Sequence, residues 1–183
     1  MENKKMNPSA MISKEWIMES LFDMLAIKPL SSISISEIAE NAKVDRRTFY
    51  RHFRTKNDVI KYYIREVIKK YEGLLLKKIN DGYTFVQTIF EVCLVMKDTL
   101  LILNKQNLLD LFLAEFEIIY EKYQHQYSKP EMLTIENVDY ILTYERGGIT
   151  NMIKKWIIEG CIISPENMSK IFERMLLFYR ENL

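Results

Sequence analysis

Turn-forming residues are scarce in this chain: five glycines and four prolines in 183 residues. A protein built on many β-turns needs more of both, because turns draw on glycine for positive φ and on proline for a fixed φ. The scarcity leans towards helices. Cysteine is scarcer still, and Cys93 and Cys161 stand alone with no CxxC pair. They read as small buried side chains in a reducing cytosol. Histidine is limited to His52 and His125, neither close to a cysteine, a carboxylate pair or a glycine-rich loop. No GxSxG, HExxH or phosphate-cradling motif occurs, so no enzyme, no metal and no cofactor are expected. There is no uninterrupted apolar run of about 18 residues, which argues against a membrane span. The charged segment from Met1 to Met6 has no apolar stretch behind it, so no secretory signal is expected and the protein reads as cytoplasmic.

What the chain does have is apolar bulk. Hydrophobic residues make up 48%, with 11 tyrosines and 9 phenylalanines among them. That is enough to bury a core and excludes general disorder. The net charge of +1 becomes informative once it is divided along the chain. Residues 1–62 hold 11 Lys/Arg against 8 Asp/Glu, whereas residues 63–183 hold 15 against 17. From Lys43 to Lys56 there are six basic residues and one acidic. A basic cluster on a nearly neutral protein points to a local anionic partner, the competing reading being a solvated helix face.

Helical periodicity runs through nearly every segment. Ile17, Leu21, Met24 and Leu25 form one stripe, ended at Lys28-Pro29 because proline disfavours helix in the residue before it. Ser34 to Glu37 is a capping box opening a short helix with Ile35, Ile38, Ala39 and Ala42 on one face. Asp45 caps its neighbour, with Val44 placed to staple onto Phe49. Thr55 to Asp58 opens a long helix over 56–80. After Asp81-Gly82, a capping box at Thr84 to Gln87 starts apolar helices expected over about 85–103 and 107–123. Gln124 to Glu131 is the expected loop. A helix is expected from about Thr134 to Glu159, stopped by Gly160, and Ser164-Pro165-Glu166 starts the last one. No strand-like alternation competes, so the fold class is all-α.

The two short helices, about 34–42 and 46–53, joined by a tight turn at Lys43-Val44, fit a helix-turn-helix preceded by a helix over about 9–28. Stepping the second helix by about 100° per residue puts Arg46, Tyr50, Arg54, Arg47 and Arg51 in one arc of about 140°. Phe49 and Phe53 fall outside that arc, at about 300° and 340°, and face inwards. Arginine suits such a surface because its fork pairs with guanine O6/N7 or with a phosphate. A second argument is independent of the wheel. Arg46 and Arg47 open one helix and Lys56 the next, where cations oppose the helix dipole unless an anion docks there.

The run from Ser34 to Asp58, with its closing Tyr-x-His-Phe-x-x-Lys, resembles the signature of the tetracycline-repressor (TetR) family, and the resemblance covers Trp16 to about Ile60. It implies a helix-turn-helix domain over 1–55 and a helical effector-binding and dimerisation domain over 56–183. It also implies base contacts by Arg46, Arg47 and Ser36, and phosphate contacts by Thr48, Tyr50, His52 and Lys56; Arg51, on the same arc, is a further candidate for a base contact, and Lys43 for a phosphate contact. Tyr50 and His52 have a second reading as partly packed side chains. Lys43 departs from the pattern, standing where the family usually has glycine. Residues 80–183 resemble the family weakly. The pattern Gly147-Gly148, Trp156, Gly160 and Ser164-Pro165-Glu166 is similar to a branch that includes regulators of dihydroxyacetone kinase operons.

Expected partners are double-stranded operator DNA, a second copy of the chain and a small-molecule effector that releases a repressor from a palindrome. The alternative is a co-regulator acting through a protein partner. Phe85, Phe90, Met96, Phe112, Phe116 and Tyr120 are candidates for the effector pocket, plain core being the other reading. Gly148, Met152, Trp156, Met168, Phe172 and Met175 are candidates for a homodimer interface formed by the last two helices.

Overall fold

The computed structural model describes residues 8–78, 82–127, 136 and 138–181, with side chains over 11–71, 84–122, 136 and 138–175. Two compact units result, Met1–Arg65 and Glu66–Leu183. Among the described residues every regular element is a helix, and none is long and apolar enough to cross a membrane.

In the first unit, α1 (Pro8–Ile27) buries Ile17, Leu21 and Leu25 along the predicted stripe. A single 3-10 turn, η1 (Leu30–Ser32), follows Pro29 and leads into α2 (Ile35–Asn41). The capping box forms as expected: Glu37 N donates to Ser34 Oγ at 3.1 Å, and Ser34 N to Glu37 Oε2 at 2.7 Å. Polar contacts fasten α1 to α2. Ser20 Oγ donates to Ile38 O at 2.9 Å, and Asn41 Nδ2 donates to Ser20 Oγ at 3.2 Å.

Helix α3 (Arg46–His52) starts at Asp45, whose carboxylate accepts from Thr48 N at 2.5 Å. It ends at Phe53, which is already extended, so Arg54 lies beyond the helix on which the wheel had put it. Helix α4 (Lys56–Lys78) opens on a reciprocal pair, Thr55 N to Asp58 Oδ2 at 2.8 Å and Asp58 N to Thr55 Oγ1 at 3.2 Å. Its first turns belong to the N-terminal unit, ten residues past the boundary expected at residue 55. Val59, Ile60 and Ile64 are buried there, Tyr62 meets Phe53 edge-on and Tyr63 lies 4.5 Å from Phe22 between ring centroids.

The second unit holds α5 (Gly82–Val95), α6 (Lys97–Lys105), α7 (Leu109–Tyr127), α8 (Val138–Ile158) and α9 (Pro165–Glu181). Three expectations are corrected. The helix expected over 85–103 is two helices, because Met96 takes φ −87°, ψ 6° between them. Residues Gln124 to Tyr127 continue α7 instead of forming a loop, and the rest of that expected loop lies outside the described residues. Thr84 sits inside α5 and not at its cap, while Gln87 donates forward to Glu91 at 2.9 Å. Helix α9 packs along α5, and α7 and α6 along α8. Trp156 is central to this core. It meets Phe90 edge-on at 5.2 Å, and its Nε1 donates to Ile163 O at 2.8 Å across the α8–α9 turn.

Candidate nucleic-acid interface

The geometry of α3 is set from below. Phe49 is fully buried and Phe53 nearly so, which fixes the rotation of the helix. Arg46, Arg47, Arg51 and Arg54 are then exposed, and Tyr50 retains 51% of its surface while its ring edge touches Phe49. Thr48 is half-buried and accepts weakly from Arg51 Nη2 at 3.5 Å. Ser36 stands exposed in the first turn of α2. The Asp45 carboxyl is held below its usual range, chiefly by the Thr48 backbone N–H, so the cap is ionised and at full strength at neutral pH.

The turn between α2 and α3 is closed by paired hydrogen bonds. Lys43 N donates to Glu40 O at 3.0 Å and Val44 N to Ala39 O at 2.9 Å, with Lys43 at φ 54°. This is the Schellman ending of a helix, which favours glycine at the left-handed position. Its side chain is exposed. Asn107 after α6 and Gly160 after α8 end their helices the same way, at φ 56° and 84°.

Two residues expected at the phosphate backbone are turned towards the protein. His52 is half-buried, and its Nε2 lies 3.2 Å from Ser13 Oγ on α1. Partial burial, then the positive Arg51 and Lys14, hold the ring below the ordinary histidine value. Lys56 Nζ donates to two backbone carbonyls flanking η1, Leu30 O at 2.5 Å and Ile33 O at 2.6 Å. Beside it, Lys28 Nζ bonds Glu37 Oε1 at 2.5 Å, which with the Ser34 amide and hydroxyl takes the Glu37 carboxyl down to about 2. Sequence reasoning had no signal for the Lys56 contact, since it joins residues 23 and 26 positions apart.

The second unit contains an apolar cavity of about 30 Å³. Four of the candidates for an effector pocket, Phe85, Phe112, Phe116 and Tyr120, line it together with Ile68, Ile89, Val92, Cys93 and Ile119. Apart from Ile68 on α4, the lining residues not among the candidates repeat the helical spacing of those that were: 85, 89, 92 and 93 on α5, and 112, 116, 119 and 120 on α7. Phe90 instead packs on Trp156, and Met96 is buried at the α5–α6 break. The Cys93 thiol and the Tyr120 hydroxyl are both pushed up by burial.

The residues proposed for a dimer interface divide. Trp156, Met168 and Phe172 are buried in the chain's own core, which their size fills from within. Gly148 and Met152 are half-buried and Met175 is exposed. The exposed apolar surface of α8 carries other residues: Tyr140 (79% exposed), Tyr144 and Ile158. With Gly147 and Asn151 they fall within about 60° of one helix face. A Cβ added at Gly147 or Gly148 would meet nothing within 4 Å.

A buried-anchor helix-turn-helix with an arginine face defines a DNA-binding regulator. Family models agree on both parts: "Bacterial regulatory proteins, tetR family" matches residues 17–63 and "Transcriptional regulator C-terminal region" matches 83–177. The chain belongs to the TetR family of DNA-binding transcriptional regulators, which are not enzymes. It is 25% identical over 164 residues, 82% of each chain, to the HTH-type dhaKLM operon transcriptional activator DhaS of Lactococcus lactis subsp. lactis (strain IL1403). A solved structure of a dihydroxyacetone kinase operon activator DhaS superposes with TM-score 0.59 at 19% identity, covering 92% of this chain and 96% of that one. The fatty acid degradation regulator FadR from Bacillus halodurans gives 0.57 at 17% identity, covering 95% and 97%. These two likenesses concern the fold.

Proposed function

We propose that the chain acts as a homodimer that reads a palindromic operator through α3 of each copy. Arg46, Arg47, Arg51 and Ser36 meet base edges, while Thr48, Tyr50 and Lys43 hold the DNA backbone. The observation that carries this is the exposure of every arginine on or just after α3 while Phe49 is fully buried. The first residues of a recognition helix are those that meet base edges in the major groove. Second-copy pairing is supported by the apolar face of Tyr140, Tyr144 and Ile158 on α8, with Ile171 and Met175 exposed on α9. The two glycines inside α8 cost about 1 kcal/mol each against alanine, and no described residue lies within 4 Å of a Cβ added there. An effector, small and apolar, suits the cavity between α4, α5 and α7 of the second unit. The relative's description as an activator favours activation over the repression expected from the sequence. A second reading, control through a protein partner, draws on Met11, Ile12 and Trp16, which are exposed on α1.

The test uses duplexes selected by the wild-type protein from a random pool. Arg46→Ala or Arg47→Ala should cost about 1–3 kcal/mol on the selected sequence and much less on a scrambled one. Equal losses on both would refute base reading by these arginines. A reporter downstream of the selected site then gives the sign of control.

A further inference from the structure

Lys56 begins α4, yet its ammonium is occupied inside the N-terminal unit. The two carbonyls it joins, Leu30 O and Ile33 O, bracket η1. Ile33 is followed directly by Ser34, the N-cap of α2. Leu30 O also accepts from Ile33 N at 3.2 Å, so the lysine reinforces an oxygen that already closes the turn. A charged donor between two carbonyls makes stronger hydrogen bonds than a neutral one, and the site is partly buried. On the far side of the same joint, Lys28 and Glu37 bridge the end of α1 to α2. The connection from α1 to α2 is therefore held by two cations, of which Lys56 alone bonds the η1 turn and comes from α4.

We infer that Lys56 is a positioning residue for DNA recognition, fixing α2 to the start of α4, and is not a phosphate ligand. The inference rests on the DNA-binding reading above. Helix α3 is attached to α4 by a short covalent path, Phe53 to Thr55. Helix α2 has no such path to α4, and the Lys56 ammonium supplies one through η1. With that tie cut, α2 keeps its capping box but loses its fixed height on α4. Ser36 and the α2–α3 turn carrying Lys43 then lose their register on DNA.

The two roles differ in salt dependence. A phosphate contact contributes about 0.9 to the slope of log K against log salt, so losing one from each subunit of a dimer lowers the slope by nearly two units. A positioning role lowers affinity and leaves the slope alone. The experiment titrates wild type, Lys56→Met, Lys56→Arg and Lys43→Ala with salt, on a duplex selected by the wild type and on a scrambled one. Lys56→Met should weaken selected-site binding roughly tenfold, the equivalent of one strong charged hydrogen bond, at the wild-type slope. Lys43→Ala, an exposed cation, should lower the slope. A Lys56→Met slope reduced like that of Lys43→Ala overturns the inference.

Amide hydrogen exchange of the DNA-free protein supplies the second arm. Lys56→Met should speed exchange at Ser32 and Ile33, whose amides close η1, while Phe49 in α3 and Phe53 just after it stay protected. Lys56→Arg, which retains a charged donor, should restore much of that protection. Unchanged exchange at Ser32 and Ile33 in Lys56→Met also overturns the inference. Should the wild type bind neither duplex in a salt-dependent way, the DNA reading fails by itself, and the exchange arm still decides whether Lys56 holds η1.

Discussion

Replacing Lys43 by glycine should make the N-terminal unit more stable and the complex with DNA weaker. Lys43 adopts φ 54° with its amide bound to Glu40 O. A residue with a Cβ in that left-handed region costs about 1–2 kcal/mol. Glycine removes this cost but loses about 0.5–1 kcal/mol more backbone entropy on folding. The net gain is about 0.5–1 kcal/mol, and for a unit of 65 residues that raises the midpoint by roughly 2–8 °C. Lys43→Ala is the control, because it deletes the charge and keeps the strain. Gly160→Ala is the converse. Its new Cβ would meet nothing within 4 Å at φ 84°, so a loss of about 1 kcal/mol there is backbone strain and not a clash. Thermal unfolding by circular dichroism at one fixed protein concentration reads all three. A Lys43→Gly midpoint no higher than that of Lys43→Ala would refute the strain argument. Salt titration on DNA should meanwhile give both Lys43 variants the same reduced slope.

Asp45→Ala should cost about 1 kcal/mol through loss of the α3 N-cap and should weaken operator binding; an unchanged midpoint contradicts the cap's role. His52 protonates less readily when folded than its ordinary value near 6.5. As pH falls through about 6.5 the unfolded chain takes up the proton first, and stability is lost. His52→Gln should therefore flatten the fall in denaturation midpoint between about pH 7 and 5, whereas an equal fall in the variant assigns it to other groups. Tyr144→Asp, on the exposed face of α8, should shift a dimer towards monomer in sedimentation at micromolar concentration. A wild-type monomer there, or a variant that stays dimeric, removes the proposed interface.

Local chemistry made the N-terminal unit readable. Ser34, Asp45 and Thr55 each cap a helix with a side chain only three residues away from its partner, so helix starts are written in short words. The buried side of α3 follows from period alone, as Phe49 shows, and Phe53 just after the helix is buried too. The second unit was less legible. Met96 breaks a helix without glycine or proline, at a backbone angle that tertiary packing imposes and that no local residue announces. Helices α8 and α9 carry more apolar residues than one face needs, and periodicity does not say which face stays inside. The chain keeps Trp156, Met168 and Phe172 for itself and leaves Tyr140 and Tyr144 outside. Tyrosine scores as only moderately apolar, so the outer face is faint in a hydropathy pattern. Lys56 shows the remaining limit. Its neighbours place it at a helix start, but its partners lie in η1, a turn that the stop at Lys28-Pro29 did not foretell.

The two cysteines have a practical consequence. Both are buried and free, Cys93 sits in the cavity wall, and burial raises both thiols above their usual value. A protonated, covered thiol is a poor nucleophile towards disulfides and alkylating reagents. Modification must then wait for the helices around it to part. The rate at which a thiol reagent labels the unmutated protein becomes a clock for that opening, and a ligand that fills the cavity would slow it at Cys93 without any engineered probe.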